Sequence, residues 1–298
     1  MTRVSTVEET VGRPMADDVA SARSRFRPLR WLFVLVLAVL AAQLVVFLVG
    51  NSRFQWDVVA KYLFEKSVMA GLGTTVVLAV AAMVLGSVVG GVVAAMQLSG
   101  FGPARWVATL WVGLFRGIPP LVQLIFWFNL AYLLPRLSIG IPFGPVFGSW
   151  DANTVITPLT AAVIGLSLVE SAYLAEIFRA GVSAVDPGQR DAARAMGYPP
   201  GQTLVRIVLP QAMRVIIPPA GSQFINVLKG TALVSVIAMS DLLHSVQVIY
   251  NRTYEIVPML LVACFWYLVV VTVLTAAQRR LERWFSRGHL PAVVRGRR

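Results

Sequence analysis

Residues 67–96 run for thirty positions without one ionisable side chain. An α-helix rises 1.5 Å per residue, so about twenty such residues cover the roughly 30 Å hydrocarbon core of a bilayer. Several comparable runs follow one another along the chain, which leaves a bundle of membrane helices as the fold: an all-α membrane protein of about six helices. The balance agrees, with 57% hydrophobic and only 13% charged residues where soluble chains carry about 25% charged ones. A transmembrane barrel would show segments of about ten residues alternating polar and apolar, and no such alternation is present.

Residues 1–30 are rich in Ser, Arg and acids without apolar periodicity and read as a disordered tail. The first apolar run, Trp31 to Val49, is too long for a signal-peptide core, and a loop follows it to residue 66. In the second run, Ser67 to Met96, Gly71, Gly73, Gly86, Gly90 and Gly91 would let neighbouring backbones approach, so this helix is expected at the centre. The third, Trp106 to Leu134, is interrupted by Arg116-Gly117-Ile118-Pro119-Pro120, where missing backbone donors split one helix into two pieces. Residues 135–155, full of Gly and Pro, are expected to be irregular. Further helices are expected over Ile156 to Phe178, Pro210 to Met239 and Val257 to Ala277, closing a core at 67–286, with a basic tail at 287–298. Cys264, the only cysteine, reads as a small packed hydrophobe.

Six crossings put both termini on one side. With the tails taken as cytoplasmic, 19 of the 26 Lys and Arg residues fall inside and five outside, the asymmetry of cytoplasmic loops. The net charge of +12 therefore reports membrane orientation and not a nucleic-acid partner.

Within the expected cytoplasmic loop 183–209, Asp186 is an N-cap, Pro187 suits the first helical position, and Gln189 stands where a capping box wants it. Gly197 then suits a left-handed C-cap, and Pro199 and Pro200 forbid continuation. The expected helix is about ten residues, roughly 15 Å. Ala192, Ala193 and Met196 would give it a small apolar face for a groove on another protein.

The run Asp191-Ala192-Ala193, then Gly197, Ile207, Leu209 and Pro210, resembles the signature loop of ABC-importer permeases, with Asp191 where that family usually has Glu. Phe115 to Gln123, Ser171 to Val182, Leu209 to Pro219 and Asn226 to Ile237 look like its polar amino acid branch, with Ile118 in place of a more usual Thr. The resemblance implies a type I importer transmembrane domain and a second permease subunit, the same or a sister chain. It further implies a cytoplasmic ATPase dimer holding the ATP-Mg and an extracytoplasmic solute-binding protein that delivers an amino acid. Gln189, Asp191, Ala192, Ala193, Met196 and Gly197 would then form the ATPase contact.

The residues agree that chemistry sits elsewhere: no lysine follows a glycine as a phosphate-cradling loop requires, and His244 and His289 are the only histidines. No catalytic residue, metal site or cofactor is expected on this chain, and Ser240, Asp241 and His244 lie too close in sequence for triad geometry. Arg116, Glu170, Glu176 and Lys229 fall within apolar spans, where a charge costs about 2.5–3.5 kcal/mol and needs a cavity or a partner. Glu176 and Arg179, three residues apart, suit a plain helix-surface pair. Glu170 with Tyr173, and Gln223 with Asn226 and Lys229, are expected either to take the two charges of a zwitterion or to pair with each other. Half-helix N-termini face anionic groups in transporters, which brings Arg116 and Gln123 to the same pathway. A gradient-driven secondary transporter is the competing class, and the six runs show no inverted repeat to support it.

Overall fold

The computed structural model describes residues 28–141 and 144–285, so the expected N-terminal and C-terminal tails lie almost wholly outside the described residues. It divides into two compact units, 1–54 and 55–298.

The first unit holds α1, Pro28–Gly50, and a 3-10 turn, Ser52–Phe54. α1 is apolar on all sides and buries none of its residues, as expected of a helix whose solvent is lipid. Phe47 and Phe54 meet edge to face at 5.6 Å and brace the turn.

The second unit opens with α2, Trp56–Tyr62, and the 33-residue α3, Lys66–Leu98. α4, Gly102–Gly117, and α5, Pro120–Phe128, meet at 99°, the break placed by Gly117, Pro119 and Pro120. After the one-turn α6, Leu130–Leu133, residues 135–155 are not irregular. They form an antiparallel hairpin of β1, Arg136–Gly140, and β2, Val146–Asp151, and a short α7, Ala152–Val155. Glycine and proline crowd the connection, while the strands pair Arg136 with Asp151, Leu137 with Trp150 and Ser138 with Ser149. Gly148 has its place because the Trp150 ring lies over it, where a Cβ would come within 2.6 Å.

α8, Pro158–Ser183, starts at a Thr157 capping box and outlasts the expected helix by five residues. α9, Pro187–Ala195, and α10, Pro200–Thr203, lead through a π-turn, Leu204–Val208, into α11, Leu209–Gly230, and a 3-10 stretch, Thr231–Ile237. α12, Leu242–Thr253, and α13, Ile256–Phe285, complete the described chain. Among the described residues five helical segments are long and apolar enough to cross a membrane, six with the bent pair as one span.

α3 is central, packed along α8 and touching α4, α11 and α12. Two glycines make the α3–α8 contact possible: a Cβ at Gly86 would come within 2.8 Å of the Glu170 Cβ, and one at Gly90 within 2.8 Å of the Ser171 carbonyl. The main core forms where α3, α5, α8 and α11 converge, around Leu78, Ala82, Leu124, Ala162, Leu166 and Leu228. Cys264 does not pack there; it is exposed on α13, a face turned outward from the bundle.

Candidate coupling helix and intramembrane polar site

The chain shapes α9 from both ends. Asp186 Oδ1 accepts from the Gly188 amide at 2.7 Å. At the far end Gly197 takes φ +77°, its amide donates to the Arg194 carbonyl at 2.9 Å, and the Tyr198 amide donates to the Ala193 carbonyl at 3.0 Å. Those two bonds are the Schellman pattern, which satisfies carbonyls a helix end otherwise leaves open. Gln189 does not complete a capping box. Its Oε1 instead accepts from Gln211 Nε2 at 3.4 Å, tying α9 to α11. Arg190 Nη2 donates to the Val182 carbonyl at 2.7 Å and ties α9 to the end of α8.

The expected apolar face is only partly on offer. Ala193 is fully buried, because α9 packs its inner side on residues 200–208. Asp191, Ala192, Met196 and Gly197 are exposed, with Met196 at 67%. Asp191 and Arg194 pair at 3.5 Å on that outer side. Just above, Val185, Val208, Ala212 and Ile216 form a small core that locks α8 to α11. Gly181 admits the Ile216 side chain there. α9 is therefore tied to two membrane helices at once.

Within the span, Glu170 is 5% exposed and its Oε2 accepts from Gln223 Nε2 at 2.9 Å. It forms no pair with Lys229: Lys229 and Asn226 are exposed on α11, while Gln223 is the side chain that reaches Glu170. Among the described residues the ion pairs are Glu176 with Arg179, as expected for that spacing, and Asp191 with Arg194. Gln97 Nε2 also donates to Glu176 at 2.8 Å, joining α3 to α8.

The Arg116 guanidinium lies 5.1 Å above the Tyr173 ring, so the last turn of α4 rests on α8. Gln123 has a different place from the one its spacing suggests. It is buried, and its Nε2 donates to the carbonyls of Phe115 at 3.0 Å, whose helical donor is lost at Pro119, and of Ile118 at 2.9 Å in the break itself. It stitches the break between α4 and α5.

One buried group escaped the sequence reading. Asp241 caps α12 by accepting from the amides of His244 at 2.8 Å and Leu243 at 3.2 Å. Thr75 Oγ1 accepts from the Leu242 amide at 3.0 Å, and Tyr267 donates to Asp241 Oδ2 at 3.4 Å. α3, α12 and α13 are thus joined at one point, and Ser240, Asp241 and His244 are part of a helix start. An Asp directly before an apolar run was the available signal. No cluster of His, Cys, Asp and Glu able to hold a metal occurs among the described residues.

A bundle of long apolar helices, broken once and carrying a short capped helix between two of its spans, has the architecture of a membrane permease. The chain belongs to the family of binding-protein-dependent transport system inner membrane components, whose model matches residues 86–287. It is 39% identical over 264 residues to the arginine transport system permease protein ArgU of Corynebacterium glutamicum, covering 88% of this chain and 81% of that one. It is 34% identical over 218 residues to the glutamate/aspartate import permease GltK of Escherichia coli O157:H7, covering 73% and 92%. A crystal structure of an amino acid ABC transporter matches with TM-score 0.63 at 32% identity over 76% of this chain and 97% of that one. The inward-facing MetNI methionine transporter shares the fold at TM-score 0.57 and 20% identity, over 74% and 96%. The chain is a multi-pass, non-catalytic permease subunit of an ABC importer, and ATP hydrolysis belongs to a separate chain.

Proposed function

We propose that this subunit carries a polar amino acid inward across the cytoplasmic membrane, with Glu170 receiving the substrate ammonium. The observation that carries the reading is a carboxylate buried in a membrane span with an amide and no cation beside it. A charge at that depth is costly unless a partner arrives, and an amino acid brings one. Gln223 orients the carboxylate, while the exposed Asn226 and Lys229 supply donors for the substrate carboxylate further along α11. The substrates for which those relatives are named, arginine and glutamate/aspartate, share only the α-ammonium and α-carboxylate. Arg116 and Tyr173 stand at the edge of this pathway, and Gln123 keeps its broken helix in shape.

A second permease subunit completes the pathway and an extracytoplasmic binding protein delivers to it. The exposed face of α9, Asp191, Ala192, Met196 and Gly197, docks on a cytoplasmic ATPase subunit whose dimer holds ATP-Mg. Both termini are cytoplasmic and the β1–β2 hairpin is outside, as the distribution of Lys and Arg supports.

Uptake by the reconstituted, assembled importer tests the substrate reading. Glu170→Gln is expected to assemble and to lose at least tenfold in uptake, and Glu170→Gln with Lys229→Met is expected to stay inactive. Near wild-type uptake by the double variant would leave both charges a structural role only. Sidedness is tested by labelling Asp151→Cys in a Cys264→Ala background: labelling of intact cells is expected, and labelling only after permeabilisation would reverse the orientation.

A further inference from the structure

We propose that a cleft between the end of α8, α11 and the end of α13 binds the phosphate of an anionic phospholipid. The cleft has a volume of about 1110 Å³. Val185, Val215, Pro218 and Phe285 contribute apolar wall, and Arg214, Arg279 and Arg283 contribute three guanidinium groups.

Two acids also line it, and both are already engaged: Asp186 Oδ1 by the Gly188 amide and Glu282 Oε1 by Gln278 Nε2, each within 2.8 Å. Arg283 Nε donates to the Arg279 carbonyl at 3.2 Å. Among the described residues Arg214 and Arg279 meet no carboxylate, since the ion pairs lie elsewhere. A planar guanidinium offers two parallel donors that match a phosphate, and two of them converge on one cleft.

Position selects a lipid over a free anion. The apolar run of α13 ends at Ala277 and that of α11 begins at Leu209, so Arg279 and Arg214 sit where the spans meet the headgroup layer. The wall between them is apolar, which a soluble phosphate does not need and an acyl chain does. A lipid held here would bridge α11 and α13 beside the junction where α9 is attached.

The test uses the assembled transporter equilibrated with equal amounts of phosphatidylglycerol and phosphatidylcholine, with retained lipid counted by native mass spectrometry. Wild type is expected to retain phosphatidylglycerol preferentially. The preference should fall about fivefold for each arginine removed in Arg214→Gln and Arg279→Gln, and fall less in Arg214→Lys with Arg279→Lys, which keeps the charges but not the paired donors. No preference in wild type, or an undiminished one in the double glutamine variant, would overturn the proposal. So would equal displacement of the lipid by free glycerol phosphate, or an Arg279→Cys cross-link that joins the ATPase subunit and not lipid.

Discussion

The turn-and-helix segment around α9 and the polar site around Glu170 are held together by different kinds of bond. α9 takes its shape from neighbours: Asp186 caps it two residues ahead of its acceptor's donor, and Gly197 and Tyr198 close it within five residues. Glu170 finds its partner 53 residues away on α11, and Gln97 reaches Glu176 across 79. The ends of the first region are set by bonds within a few residues, which suits a handle. The second exists only while α8 and α11 hold one register. α9 is joined to α8 through Arg190 and to α11 through Gln211, the same two helices that the Glu170–Gln223 bond joins.

The comparison is sharpened by variants that damage one kind of bond and spare the other. Gly90→Val should have the largest effect on stability, because its Cβ would press on the Ser171 carbonyl and the Ala175 amide at 2.8 and 3.1 Å. Overpacking of this kind costs about 1–3 kcal/mol or more, read as a lower melting temperature of the assembled complex with α9 intact. Gln123→Ala strands two carbonyls at the α4–α5 break and should cost about 1–3 kcal/mol, a loss that Gln123→Asn would not repair for want of reach. Asp241→Ala removes a cap and should cost about 1 kcal/mol, with faster amide exchange confined to the start of α12. Asp191→Asn should be the mildest, since an exposed pair at 3.5 Å contributes about 1 kcal/mol at most. A Gly90→Val complex as stable as wild type would show that α3 and α8 do not need their close approach.

Features written in local chemistry were readable in the sequence. Apolar runs give the spans, Gly117-Ile118-Pro119-Pro120 gives the break, and Asp186 and Gly197 give the ends of α9. What depends on a distant partner was not. Ala193 looks like part of an apolar docking face until residues 200–208 cover it. The bonds of Gln123 to two carbonyls at the break and the choice of Gln223, 53 residues away, as the partner of Glu170 are set by the fold and not by spacing. The hairpin at 136–151 was hidden because Gly and Pro dominate the composition of a segment whose strands nonetheless pair residue by residue.

The separation of the two regions is tested most directly by measuring uptake and ATP hydrolysis together in the reconstituted importer with its ATPase and binding protein. Gly197→Val forces a branched side chain into a left-handed backbone and should deform the handle. It is expected to remove the stimulation of ATP hydrolysis by loaded binding protein, and uptake with it. Glu170→Gln leaves the handle untouched and is expected to keep most of that stimulation while uptake falls at least tenfold. Normal stimulation and uptake in Gly197→Val, or equal loss of both activities in the two variants, would contradict the account.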